Sequence, residues 1–135
     1  MNILYYAHSG LRYLVLLAAL AALIALAYGV ATGRALRTAR TLSTIFAGVL
    51  DLQVLLGIGL IMGGMFPDEV TGHLLLMIFA VVVTHAAFII GQYSSSERRE
   101  LGIRLGGIAL TVILIVGGIL AIGRSVMGSI PPVTG

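Results

Sequence analysis

The chain has 135 residues, a net charge of +3, 59% hydrophobic residues and only 10% charged ones. A soluble domain carries about 25% charged residues, so the composition places the chain in the membrane class and points away from nucleic acid as a partner. Cysteine is absent, which excludes disulfides, thiolate metal sites, iron–sulfur clusters and covalently attached haem.

A helix needs about 20 apolar residues to cross the hydrocarbon core, and four segments qualify: 3–31, 42–64, 72–93 and 101–126. The opening MNILYYAHSG lacks a basic n-region, and its apolar run is too long for a signal peptide. It is therefore expected to be an uncleaved first span. This segment carries Tyr5 and Tyr6, suited to the interfacial aromatic belt, then His8, Ser9, Arg12 and Tyr13. The first connection holds Arg34, Arg37 and Arg40.

The second segment contains Asp51 and Gln53. Residues two apart on a helix point about 200° apart, so both cannot face inward. Asp51 is expected inside, because its charge is costlier in lipid. Gly59 with Gly63, and Gly102 with Gly106 in the fourth segment, form GxxxG patterns expected to serve bundle packing. The second connection carries Pro67, Asp68 and Glu69, and Thr71 is expected to cap the third helix. That helix holds His73, Met77, Thr84 and His85. The third connection brings Arg98, Arg99 and Arg104. Residues 127–135 read as an extended, proline-containing tail that could dock on a partner.

Arginines crowd connections one and three, whereas connection two carries only carboxylates. The positive-inside rule then puts both termini outside. The expected fold is one domain: an all-α, up-down-up-down bundle of four transmembrane helices in a bacterial-type inner membrane.

Orientation sets depth. His8 and His73 fall at similar levels near the outer face, on helices expected to run in the same direction. Two imidazoles at one level can clamp a haem iron from both sides; the plainer alternative is two interfacial histidines bonded to carbonyls or headgroups. Arg12 lies four residues after His8, where it can snorkel, pair with a carboxylate or hold a haem propionate. Asp51 and His85 fall near mid-membrane, close in depth to Arg12. They suggest a buried polar cluster that either clasps the helices or relays protons. His73 and His85 lie about 120° apart around their helix, so His85 is not expected at the same cofactor.

The pair His8 and His73, together with Gln53-Val54-Leu55-Leu56-Gly57, resembles one four-helix half of the haem A synthases. The run His8-Ser9-Gly10-Leu11-Arg12 is also similar to small four-helix membrane proteins that begin this way. The resemblance implies haem held from the outer side by a histidine on one helix and another two helices later. It also marks departures. There is one bundle rather than two, and Tyr5 stands where the family has a Glu assigned to oxidation chemistry. Synthase activity is therefore not expected.

The leading expectation is a haem-b-binding membrane subunit. His8 and His73 would be axial ligands and Arg12 a propionate partner, with electron transfer to a quinone or a neighbouring redox subunit. A second reading is a cofactor-free structural or assembly subunit of a membrane complex. A third is a small proton or ion path through Asp51 and His85.

Overall fold

The computed structural model describes residues 2–34, 36–64 and 70–128. It consists of four helices: α1 (Asn2–Thr32), α2 (Leu36–Met62), α3 (Val70–Gln92) and α4 (Glu97–Ala121). All four are long and apolar enough to cross a membrane. Helix α1 packs on α2 and α4, and α3 packs on α4; α2 and α3 touch much less. Early residues of one helix meet late residues of its neighbour, as His8 meets Gln53 and His73 meets Gly118.

Each helix buries a narrow stripe at spacings of three and four. In α1 the stripe is Ser9, Arg12, Val15, Ala19, Ala22, Leu26 and Gly29. The centre of the bundle is filled by Leu26, Phe46, Leu50, Leu101 and Ile108, all almost wholly buried. The outward faces carry large apolar side chains such as Leu17, Ile24, Leu55, Val82 and Ile113. An apolar exterior over a bundle this slender fits a hydrocarbon solvent, in which close packing rather than the hydrophobic effect joins the helices.

The burial pattern repeats with an offset of 65 residues, the interval from His8 to His73. Every buried position of α3 (Met77, Ala80, Thr84, Ala87, Gly91) follows a buried position of α1 (Arg12, Val15, Ala19, Ala22, Leu26) by that interval. Ser43, Phe46, Leu50 and Gln53 in α2 correspond in the same way to Ile108, Thr111, Ile115 and Gly118 in α4. The chain is thus two helix pairs with one packing plan. Few identical residues mark the repeat, because apolar side chains substitute freely where only volume matters.

Several boundaries differ from expectation. Helix α2 starts at Leu36 rather than 42, and α4 at Glu97 rather than 101. The added turns form a polar end cluster. Arg40 bonds Glu100 at 2.7 Å and Glu97 at 3.3 Å, and Arg104 bonds Glu100 at 3.1 Å. Ser96 caps α4, its hydroxyl accepting from the Arg99 N–H, and Glu97 and Glu100 complement the helix dipole in the first turn. Thr71 lies within α3 instead of capping it, since the helix already includes Val70. Pro67 and Asp68 lie outside the described residues, as does most of the expected tail.

Helix α4 stops earlier than expected, at Ala121, because Gly123 adopts φ +67°. The Gly123 N–H donates to Leu120 O at 2.9 Å and the Arg124 N–H to Ile119 O at 3.3 Å. This is a Schellman turn.

The GxxxG expectation fails for α4. A Cβ on Gly102 or Gly106 would meet nothing within 4 Å, whereas one on Gly107 would sit 2.3 Å from the Ala87 Cβ. The adjacent glycine makes the α3–α4 contact, one residue before the buried Ile108 and four before the buried Thr111.

Candidate functional site

His8 and His73 converge. Their ring centres are 6.3 Å apart and the ring planes stand at 87°. Each ring is held by the same device. The His8 Nδ1–H donates to the backbone carbonyl of Gln53 at 3.0 Å, and the His73 Nδ1–H to that of Gly118 at 2.9 Å. A carbonyl only accepts, so each Nδ1 carries a proton, and the lone pair of a neutral ring then lies on Nε2. In both cases the helix offering the carbonyl also supplies a glycine beside the ring. A Cβ on Gly57 would lie 3.1 Å from the His8 Cε1, and one on Gly118 would lie 3.2 Å from the His73 Nδ1.

Gln53 ties α2 to α1 a second time. Its side-chain amide donates to the His8 carbonyl at 2.8 Å, and the amide nitrogen lies 3.4 Å from His8 Nε2. Its Oε1 is buried without a partner. The sequence expectation for this helix is therefore reversed: Gln53 is inside, 8% exposed, and Asp51 is turned toward the surface. An amide satisfies its donors on the His8 backbone at no ionic cost, and so takes the interior position more cheaply than a carboxylate.

The two imidazoles line a cavity of about 200 Å³, mostly apolar, that reaches the side of the bundle between α2 and α3. Met77 lines it too, on the His73 face as its spacing indicates. So does Arg124, which the Schellman turn brings over the site and whose guanidinium donates to the Tyr5 hydroxyl at 2.9 Å.

Arg12 is buried, 8% exposed, and lies next to the site. Its Nη2 donates to the Tyr13 hydroxyl and to the Gly128 carbonyl.

The expected cluster of Asp51, His85 and Arg12 is corrected. His85 Nε2 bonds both carboxylate oxygens of Asp51 at 3.0 Å, but Arg12 is engaged elsewhere. The pair is also not buried within the chain: the side chains are 47% and 39% exposed on the α2–α3 side. His85 stands apart from the His8–His73 cavity, as its angle on α3 requires.

Sequence reasoning missed Gln53, Gly57, Gly118 and Arg124 as site residues. The first two belong to the Gln53–Gly57 motif, which was legible as a pattern but not as the seat of His8. Gly118 has no pattern of its own. Arg124, a lone cation at the end of an apolar span and just after a glycine, carried a hint in its position.

Two imidazoles with each Nδ1 tied to a backbone carbonyl, the usual supporting contact of ligating histidines, could hold a metal through Nε2, which in His8 lies 3.4 Å from the Gln53 amide. Among the described residues no group of three or more His, Cys, Asp or Glu side chains could hold a metal ion. Comparison with models of protein families, with curated proteins and with solved structures found no match.

Proposed function

We propose that the protein is a haem-b-binding membrane subunit, with His8 and His73 as axial ligands, that passes electrons to or from a quinone or a neighbouring redox subunit. The observation that carries this reading is the facing pair of imidazoles at 6.3 Å, each with its Nδ1–H tied to a carbonyl.

The donor chemistry fits haem. The space is tighter: about 200 Å³, against about 300–1,000 Å³ for typical ligand pockets. A tetrapyrrole therefore requires the α2–α3 side, where helix contact is sparse, to give. Bound there, the haem would supply reversible one-electron chemistry. His8 and His73 would hold it, Gln53 and Gly118 fix their rings through backbone carbonyls, and the mostly apolar wall would exclude water. The proposal places the helices up-down-up-down in a bacterial-type inner membrane with both termini outside. Its support is the arginine asymmetry and the end-to-end pairing of neighbouring helices.

One observation favours a second reading, a structural subunit of a larger complex. The Asp51–His85 pair sits half-exposed on an apolar face, where lipid is a poor neighbour and another membrane subunit a better one. Absorption spectra of the purified protein, oxidised and dithionite-reduced, decide between the two. A sharp reduced α-band supports the haem subunit; a featureless visible spectrum rejects it in favour of the structural one.

A further inference from the structure

The surroundings of the two imidazoles hold more positive charge than axial ligation uses. The guanidinium of Arg12 is buried, and its Nε has no partner. Arg124 reaches the same region from the end of α4. Both arginines line a second, smaller cavity of about 50 Å³, whose walls also include His8, His73, Ser9 and Gln53. Among the described residues neither arginine has an ion-pair partner: Asp51 is taken by His85, and Glu97 and Glu100 by Arg40 and Arg104. A cation withdrawn from water, as Arg12 is, calls for a compensating anion.

We infer that Arg12 and Arg124 form a two-armed clamp for the two carboxylates of the haem, an inference that rests on the haem reading above. The guanidinium fork matches a carboxylate and bonds it through two N–H groups. Two cations answer two carboxylates, and their place beside both imidazoles orients the ring, with its acidic edge toward the arginines and its apolar edge toward the α2–α3 opening. Arg124 is the arm that only the folded chain reveals, because the positive φ of Gly123 turns it back over the cavity.

The test compares haem b with its dimethyl ester, which keeps the iron and the ring but removes both negative charges. The full-length protein in detergent, freed of haem, is titrated with each and followed by its low-spin spectrum. Wild type should bind haem at least about tenfold tighter than the ester, the worth of one charged hydrogen bond. Arg124→Gln and Arg12→Gln should each shrink that preference while leaving ester affinity unchanged, and Arg124→Lys should keep part of it. The midpoint potential of haem-loaded Arg124→Gln should fall, since a lost neighbouring cation favours the oxidised iron. The ester comparison on wild type needs no variant to fold.

Equal binding of haem and ester by wild type, with a normal low-spin spectrum, overturns the clamp and leaves the axial pair standing. The same indifference, with anionic lipid copurifying with wild type but not with Arg124→Gln, also overturns it and assigns the arginines to a headgroup. Failure of both ligands to give a low-spin spectrum overturns the clamp together with the haem reading.

Discussion

The Nδ1 of His8 donates to a carbonyl 45 residues further along the chain, and so does the Nδ1 of His73. Two helix pairs thus present their imidazoles by one geometry, and the rings meet across the seam between them. If these are axial ligands, His8→Ala and His73→Ala should each abolish the low-spin haem spectrum. His85→Ala should leave it in place, because His85 points to Asp51 on the outer surface of the α2–α3 side. Normal haem after loss of His73 would refute the pairing.

The glycine seats give a test that leaves the ligands themselves untouched. A Cβ on Gly57 would press on the His8 ring at 3.1 Å, whereas one on Gly48 of the same helix meets nothing within 4 Å. Gly→Ala in an open helix position stabilises by about 1 kcal/mol. Gly48→Ala should therefore raise thermal stability and keep the haem spectrum. Gly57→Ala should lose that gain to overpacking, which costs about 1–3 kcal/mol, and should broaden or abolish the low-spin band. Indistinguishable behaviour of the two variants would mean that the His8 ring is free to move away.

Asp51→Ala should destabilise the bundle by about 1 kcal/mol, near the usual worth of a hydrogen bond between membrane helices. Asp51→Asn, which can still accept from His85 Nε2, should cost less. Reversible unfolding in mixed micelles measures both. A relay through the pair requires more: Asp51→Asn would fold normally yet lose pH-dependent activity. Should Asp51→Ala cost nothing, both the clasp and the relay fall, and a partner contact is the remaining role.

Topology is checked by single cysteines in this cysteine-free chain. Leu36→Cys and Ser96→Cys should resist an impermeant label added outside intact cells, while Glu69→Cys should react. The reverse pattern overturns the orientation, and with it the placement of the histidines near the outer face.

Four helices, their approximate extents and the rarity of polar groups within them were all legible in the sequence. The reason is that hydrocarbon leaves backbone groups no partner but their own helix, so span length and composition are nearly a complete code. The sequence also singled out His8, His73 and Arg12, since ionisable groups stand out against an apolar background.

Rotation about each helix axis was decided only by the tertiary structure. Gln53 and Asp51 compete for one interior position, and the outcome depends on the His8 carbonyl waiting on a neighbouring helix. Gly107 rather than Gly102 or Gly106 makes the close approach, because the angle at which α4 meets α3 selects one glycine from a helix that offers several. Arg124 enters the site through a turn whose φ no pattern of hydropathy encodes. Each of these depends on a partner some 20 to 119 residues away in the chain, and in a bundle of uniformly apolar helices only the packed neighbours select one face over another.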